Sequence, residues 1–359
     1  MQQETRKSIK RFTEKRPRPI NISSQNLVTL SQLSPSGKLP LVISPQEEGL
    51  DLVSWAKHNS AFIEEKLLEH GGLLFRHFES NSVQLFEQFT SALSNHLLDY
   101  KERSTPRTEV TGKIYTSTEY PANQTIPLHN ELSYSRSWPM KIWFFCLQPA
   151  ETGGETPFAD SSRVFQRIPE AIKARFMEKR VMYVRNYMPQ LDLSWQEVFQ
   201  TNNRAEVERY CRSIDMECEW INEQHLRTRQ VCQAVALHPE TSRLVWFNQA
   251  HLFHISNLDP AVRETLLSLY GEESLPRNTY YGDGKPIEPA VLDEIRAIYE
   301  EEQIAFPWQK GDIVMLDNML VAHGRAAFTG MRRVVVAMAD PFTGGSSQRK
   351  GESNDSFQH

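Results

Sequence analysis

The chain is poor in cysteine and has no long apolar run. Its 359 residues include four cysteines, no two of which form a CxxC pair: Cys146, Cys211, Cys218 and Cys232. This spacing argues against a cysteine-type zinc site, and with no secretory signal ahead of them we expect no disulfide framework. No apolar stretch approaches the roughly 18 residues of a membrane span. We therefore expect a soluble protein of a reducing compartment, the cytoplasm.

Basic charge is also scarce. Lys and Arg number 40 against 45 Asp and Glu, which gives a formal net charge of -5 and a pI near 6.2. Nucleic-acid binding depends on the neutralisation of phosphates by clustered Lys and Arg, so this composition gives no general attraction to DNA or RNA. A small molecule or another protein is the expected partner.

Internal repeats and low-complexity linkers are absent too, so nothing marks a boundary between two domains. We predict one domain over residues 41–343, between flexible tails at 1–40 and 344–359. Apolar spacing and turn residues predict an α+β fold. Helices are predicted at 50–70, from Ser82 onward, and at 169–179, 204–213, 260–270 and 289–302. Strands are predicted at 73–78, up to 131, and at 141–147, 181–187, 230–237, 244–248, 312–317 and 333–339.

The most informative pattern is a His-x-Glu triplet, His129 and Glu131, with His323 far downstream. Two imidazoles and a carboxylate are the ligands of a mononuclear non-haem Fe(II) oxygenase. In a strand, His129 and Glu131 would point the same way, into a barrel. The triplet alone is a weak signal, since such triplets arise by chance.

The surroundings of the triplet strengthen this interpretation. An apolar run at 142–147 leads to a glycine turn at 153–157 (GGETP), which presents the hydroxyl of Thr156. Two adjacent arginines, Arg332 and Arg333, follow His323 and precede a strand-like segment. A planar guanidinium is suited to a two-pronged grip on a dicarboxylate.

These motifs resemble those of the taurine dioxygenase-like branch of the Fe(II)/2-oxoglutarate-dependent oxygenases. Within it, the chain is most similar to the group of nonribosomal peptide assembly lines typified by the syringomycin aspartyl β-hydroxylase. The resemblance extends from about residue 71 to residue 340. It is carried by the segments 71–76 (GGLLFR), 129–134 (HNELSY), 153–157 (GGETP), 248–254 (NQAHLFH) and 317–325 (DNMLVAHGR).

The resemblance implies a double-stranded β-helix, or jelly roll, with helices before it and a helical insertion at about 161–305. It implies that His129, Glu131 and His323 hold Fe(II), and that Thr156 and Arg333 hold the distal carboxylate of 2-oxoglutarate, with Arg332 as the second choice. Two departures stand out. Many relatives have Asp where this chain has Glu131, and the further arginine that some carry is replaced by Ala337.

The resemblance also implies a reaction. 2-Oxoglutarate and O2 are converted to succinate and carbon dioxide while a substrate carbon is hydroxylated. Related halogenases have a small residue at the carboxylate position, so Glu131 favours hydroxylation over chlorination. The implied substrate is an amino acid or amino-acid derivative of secondary-metabolite, antibiotic-type biosynthesis, either free or bound to a peptidyl carrier protein. Aspartate β-hydroxylation is the leading case.

Substrate-binding candidates are more loosely defined. Ser133 and Tyr134 directly follow the metal triplet and are expected to border the pocket. Arg227 and Arg229 would share one face of a strand, where they meet either a substrate carboxylate or a surface acid. Asn248 is equally suited to binding the substrate and to satisfying buried backbone.

Other functions with the same residues stay open. A desaturase or a cyclase of the same family would use the same ligands. A cupin-like hydrolase or isomerase would use them to hold zinc, which activates water without oxygen. A non-catalytic module that binds a carrier protein would keep only the fold. The sequence leaves the oligomeric state open.

Overall fold

The computed structural model describes residues 27–33, 39–98, 109–116, 120–189 and 191–344. The strands within these ranges are β1 (Val28–Gln32), β2 (Leu41–Pro45), β3 (Gly72–Phe75), β4 (Glu109–Thr111), β5 (Ile114–Thr116), β6 (Ile126–His129), β7 (Ser137–Gln148), β8 (Thr152–Gly153), β9 (Phe158–Asp160), β10 (Val181–Tyr187), β11 (Glu217–Trp220), β12 (Leu226–Cys232), β13 (Val235–Leu237), β14 (Leu244–Trp246), β15 (Arg277–Tyr281), β16 (Ile313–Asp317), β17 (Val321–Arg325), β18 (Phe328–Thr329) and β19 (Arg333–Thr343). The helices are α1 (Leu52–His58), α2 (Ser60–His70), α3 (Val83–Leu93), α4 (Ser161–Arg167), α5 (Glu170–Lys179), α6 (Trp195–Phe199), α7 (Arg204–Ser213), α8 (Ala250–Phe253), α9 (Pro260–Tyr270) and α10 (Pro289–Glu302).

Two sheets share the central core. The larger has eight strands in the order β1-β2-β3-β16-β7-β19-β5-β4, and the smaller has three in the order β6-β17-β9. Their facing side chains form one buried cluster that includes Phe144 and Val336 from the large sheet and Phe158 and Val321 from the small one. The sheets therefore pack face to face, within a fold that mixes helices and strands as the sequence predicts.

Strand β19 shows how both faces of the large sheet are covered. Val334, Val336 and Met338 belong to the cluster shared with the small sheet, whereas the intervening residues 335, 337 and 339 pack with α1, α2 and α3. Successive side chains of a strand point to opposite faces, so a strand buried on both sides has an unbroken apolar run. This explains the uninterrupted apolar sequence that follows the two arginines.

The N-terminal helices match the predicted positions with one change. Asn59 divides the predicted helix 50–70 into α1 and α2, and its Nδ2 donates to the carbonyl of Trp55 at 2.8 Å. The predicted start at Ser82 is confirmed, because its Oγ accepts the N–H of Leu85 at 3.2 Å and caps α3. Helices α1–α3 then cover the outer face of the large sheet.

The insertion at 161–305 contains helices α4 to α10 and a four-stranded sheet, β11-β12-β10-β15. The strand predicted at 230–237 is two strands, since β12 ends at Cys232 and β13 begins at Val235. The predicted tail 1–40 needs a correction as well. Residues 28–32 form β1 and pair with β2. Most of that predicted tail, and residues 345–359, lie outside the described residues.

A buried ion pair joins the large sheet to the segment that approaches the predicted cosubstrate site. Arg76 donates from Nε to Asp312 Oδ1 at 2.9 Å and from Nη2 to Asp312 Oδ2 at 2.6 Å. Its Nη2 also donates to the carbonyl of Pro307 at 3.1 Å, next to Trp308. This two-pronged pair therefore holds the segment 306–312 against β3.

We predict that Arg76→Ala lowers the free energy of unfolding by about 3–5 kcal/mol, because Asp312 would be left buried without its partner. The control is Arg212→Ala, which removes an exposed pair with Glu208 on α7 and should cost less than about 0.5 kcal/mol. Urea unfolding followed by circular dichroism measures both. Equal losses in the two variants would contradict this account of the pair.

Candidate metal centre and cosubstrate site

The two histidines meet through the pairing of β6 with β17. His323 lies directly opposite His129 in the antiparallel register, and their ring centroids are 4.7 Å apart. His129 Nδ1 lies 2.8 Å from the carbonyl oxygen of Pro127. In the tautomer that carries the proton on Nδ1, this atom donates to that oxygen, and Nε2 keeps the lone pair that a metal would bind. In metal-ligating histidines the ring nitrogen that does not bind the metal commonly donates such a hydrogen bond, which fixes the orientation of the ring.

Glu131 reaches the same point from a turn and not from a strand. The sequence predicts a strand that continues to this residue, but β6 ends at His129, and Leu132 has a φ of 56°, in the left-handed region. The turn, and not strand alternation, brings the carboxylate beside the rings. Ligand atoms of His129, Glu131 and His323 all lie within 4.8 Å of one another, with Glu131 and His323 buried.

This donor set fits a divalent iron. Two imidazole nitrogens and one carboxylate oxygen, gathered on one side, form the arrangement typical of non-haem Fe(II) sites. The ring of Phe144 lies 5.0 Å from that of His323, which makes one wall of the site apolar. The geometry can therefore hold a metal.

Asn318 is a residue whose role the sequence reasoning did not assign. Its Oδ1 accepts the N–H of Glu131 at 2.7 Å, and its Nδ2 donates to the carbonyls of Glu131 at 2.9 Å and Pro139 at 2.8 Å. The side-chain amide thus binds both backbone groups of the ligand residue. Its own carbonyl accepts from Asn130 Nδ2 at 2.7 Å. The sequence does contain one indication of this role, because Asn318 lies in the same motif as His323.

A buried contact between Asp317 and His238 holds the turn between β16 and β17. Asp317 Oδ1 accepts the N–H groups of Met319 and Leu320, both at 2.9 Å, and its Oδ2 lies 2.9 Å from His238 Nε2. These bonds fix the turn that carries Asn318 and leads into the strand of His323. The ligand segments are therefore cross-linked by polar side chains that are themselves buried.

Thr156 and Arg332 are linked to this centre through the chain: Phe158, two residues after Thr156, pairs with His323, and Arg332 contacts Gly154, two residues before Thr156. Arg332 Nε donates to the carbonyl of Gly154 at 2.9 Å, and Thr156 Oγ1 accepts from Trp308 Nε1 at 3.1 Å. Burial, and secondarily the charge of Arg325, lower the pKa of Arg332 to about 10. A guanidinium in such surroundings is stabilised by an added anion. The small size of Gly154 matters here, since a Cβ on it would lie 3.0 Å from Arg332 Cδ.

Arg333, the first choice from the sequence, lies elsewhere. It is exposed, and the pairing of β19 with β7 shifts register between Arg333 and Val334. Side chains alternate along β19, so Arg332 shares the face of Val334 and Val336 in the core between the two sheets, and its Nε contacts Gly154.

The polar substrate-binding candidates Ser133, Tyr134 and Asn248 have different surroundings. Ser133 is fully buried, and Tyr134 packs edge-on against Phe253 with ring centroids 5.3 Å apart. Asn248, in contrast, binds backbone at both ends of its amide, donating to Ala234 at 2.8 Å and accepting from Ala250 at 3.0 Å. Of the two roles considered for Asn248, these contacts favour the structural one.

Arg227 and Arg229 do share a face of β12, but it is the face away from Thr228 and Gln230, which line a cavity in the insertion. Both arginines pair with Glu219, at 3.3 Å and 2.9 Å. Arg227 Nε also donates to Asn186 Oδ1 at 3.0 Å. The structure thus gives these arginines the surface-acid partner and does not bring them to the metal centre.

The chain is similar in sequence to known proteins. The sequence profile of the family described as "Taurine catabolism dioxygenase TauD, TfdA family" matches residues 32–338. The dapdiamide synthesis protein DdaC of Enterobacter agglomerans is 48% identical over 279 residues, which are 78% of this chain and 85% of that protein. A clavaminate synthase-like protein of Arabidopsis thaliana is 30% identical over 323 residues, 84% of this chain and 94% of its own.

Solved structures show the same fold. PvcB of Pseudomonas aeruginosa is described as an Fe, alpha-ketoglutarate dependent oxygenase from an isonitrile synthetic pathway. It superposes with a TM-score of 0.52 at 16% identity and covers 87% of this chain and 91% of its own. In the described part of the chain, every helix is too short or too polar to cross a membrane.

We predict that Asn318→Ala weakens Fe(II) binding by roughly 10–100-fold, the usual effect of removing a group that orients a metal ligand. The control is Asn186→Ala, which removes another buried amide bonded to backbone, at Glu273 and Leu275, on the remote β10. Anaerobic Fe(II) titration gives the affinities, and thermal unfolding checks folding. The role assigned to Asn318 is wrong if both variants bind iron equally well.

Proposed function

Because the chain belongs to the taurine catabolism dioxygenase (TauD/TfdA) family, and is an Fe(II)- and 2-oxoglutarate-dependent dioxygenase that uses O2, we propose that His129, Glu131 and His323 hold its iron. The observation that supports this most directly is the convergence of their ligand atoms within 4.8 Å. When bound, iron supplies the oxygen activation that couples decarboxylation of 2-oxoglutarate to oxidation of the substrate. The core that carries the three ligands is, by this proposal, a double-stranded β-helix.

Arg332 and Thr156 would hold the distal carboxylate of 2-oxoglutarate. The guanidinium is kept in place by the carbonyl of Gly154, and the hydroxyl of Thr156 is oriented by the indole N–H of Trp308. The Arg76–Asp312 pair fixes the segment that carries this tryptophan. Both anion-binding groups are therefore positioned before the cosubstrate arrives, which lowers the cost of ordering on binding.

The substrate would be an amino acid or amino-acid derivative of secondary-metabolite biosynthesis, free or bound to a carrier protein. The 48% identity to a dapdiamide synthesis protein supports a biosynthetic role. Aspartate β-hydroxylation is the first specific case to test, on the resemblance described above. The buried carboxylate of Glu131 fills the position at which a halogenase needs space, and this favours hydroxylation over chlorination. Desaturation and cyclisation use the same centre and would differ in product mass.

We predict that Arg332→Gln raises the KM for 2-oxoglutarate at least tenfold, a loss of about 1.4 kcal/mol or more of binding free energy. The adjacent Arg333→Gln is the matched test, since its exposed side chain should change KM by less than about twofold. Succinate formation at varied 2-oxoglutarate concentration measures both variants. A larger effect at Arg333 would reverse the assignment of the two arginines.

We also predict that 2-oxoglutarate added to the Fe(II) protein without oxygen produces a visible charge-transfer band. With oxygen, at least one member of a panel of free and carrier-bound amino acids should stimulate succinate formation and gain the mass of one oxygen atom. A zinc-dependent hydrolase would show no band and no succinate. Capture of a carrier protein without any turnover would favour the non-catalytic module, and turnover with no amino-acid substrate would overturn the substrate class alone.

A further inference from the structure

Residues 128–135, here called the ligand segment, carry two of the three proposed iron ligands. The segment begins in β6, which lies at the edge of the small sheet, and continues as the turn that contains Glu131. An edge strand and a turn leave backbone carbonyl groups without a strand partner, and such groups need other donors where they are buried. The source of these donors therefore decides what holds the ligand segment in place.

One set of donors lies at the break between β12 and β13, where the sequence predicts a single strand. In this break, Gln233 Nε2 donates to the carbonyl of Ser133 at 2.7 Å and to that of Ser135 at 3.2 Å. Cys232 Sγ donates to the carbonyl of Tyr134 at 3.1 Å. The break in the strand thus places a side-chain amide and a thiol against three consecutive carbonyls of the ligand segment.

The other donors belong to the motif at 248–254, one of the segments that carry the family resemblance. Gln249 Nε2 donates to the carbonyl of Asn130 at 2.7 Å. His251 Nε2 lies 2.9 Å from the carbonyl of Leu128 and carries the proton of this bond, because a carbonyl oxygen only accepts. Each of the two acceptors directly precedes a proposed iron ligand in the chain. The motif therefore contacts the backbone next to both ligands.

These contacts restrain Glu131 in a different way from Asn318. Asn318 binds the N–H and the carbonyl of Glu131 itself, whereas the insertion binds carbonyls on either side of that residue. Gln249 and His251 are only 2% and 3% exposed, so water does not readily replace their bonds. A buried carbonyl that loses its donor is destabilised. Loss of a donor from the insertion would therefore shift the backbone that aims the carboxylate.

The same contacts join the ligand segment to the cavity of the insertion. Tyr134 belongs to both, since its carbonyl accepts from Cys232 and the residue also lines the cavity. Tyr183, another residue of the wall, accepts the backbone N–H of Gln249 at 2.8 Å through its hydroxyl. The cavity wall and the ligand segment are thus parts of one hydrogen-bonded unit.

We propose that Gln233 and Gln249 are positioning residues of the metal centre, which set the orientation of Glu131 by holding the carbonyls on either side of it. Neither glutamine needs to touch iron, since each acts through the backbone of the ligand segment. The insertion then takes part in metal binding in addition to any contact with the substrate. The proposal rests on the proposed function in one respect, because Glu131 is taken to be an iron ligand.

The test compares Gln233→Met with Gln230→Met in the full chain, with Gln249→Met as a second variant. Methionine is similar to glutamine in size but donates no hydrogen bond, and Gln233 is only partly buried, which favours folding of its variant. Gln230 is the matched control. It lies on β12 and its Nε2 also donates to a backbone carbonyl, at 2.8 Å, but this carbonyl is that of Ile214 within the insertion.

The first readout is hydrogen exchange of the metal-free protein, followed by mass spectrometry. We expect the ligand segment to exchange at least about tenfold faster in Gln233→Met and Gln249→Met than in Gln230→Met, because local opening becomes easier. The second is anaerobic titration with Fe(II). We expect its affinity to fall roughly tenfold in the two variants and less than about twofold in the control. The visible d–d bands of the Co(II)-loaded protein should change in the same two variants, and thermal unfolding shows whether each variant is folded.

The outcomes separate this inference from the proposed function. Faster exchange without loss of iron affinity, or equal effects in Gln233→Met and Gln230→Met, would overturn the positioning role. Glu131→Ala tests the iron ligand itself. If Glu131→Ala binds Fe(II) weakly while the glutamine variants bind it normally, this inference alone is wrong. If Glu131→Ala binds Fe(II) as tightly as the unaltered protein, the proposed iron centre is wrong and this inference falls with it.

Discussion

The antiparallel pairing of β6 with β17 is the contact on which the site depends, because it places His323 opposite His129. These residues are far apart in the sequence, so their convergence has an entropic cost that the packing of the two sheets offsets. Asn318 completes the arrangement by binding both backbone groups of Glu131. The three proposed ligands are thus brought together by the tertiary structure alone.

Binding groups are distributed over two parts of the fold. The sheets carry the proposed metal ligands, and beside them lie Thr156 and Arg332, the proposed anion-binding pair, which contact Trp308 and Gly154. The insertion carries the cavity, and the two regions meet at the turn that contains Tyr134. The insertion also supports the ligand-bearing segments, because His238 contacts Asp317 in the turn that carries Asn318.

Local pattern predicted much of the fold and the three residues whose ligand atoms converge, but not the direction of every side chain. The bounds of β10, α7, α9 and α10 agree with the sequence, since each has clear apolar spacing between turn or cap residues. The structure favours Arg332 over Arg333, because Arg332 shares the alternation of Val334 and Val336, and only tertiary packing identifies theirs as the inward face. Strand alternation correctly placed Arg227 and Arg229 on one face of β12, but only tertiary packing decides which face of the strand points inward.

The most direct measurement is a crystal structure of the protein with Fe(II) and 2-oxoglutarate, grown without oxygen, with iron located by its anomalous scattering. The account predicts one iron peak bonded to His129, Glu131 and His323, with the distal carboxylate of 2-oxoglutarate at Arg332 and Thr156. Iron bound by other residues, or absent from this cluster at full loading, would contradict it.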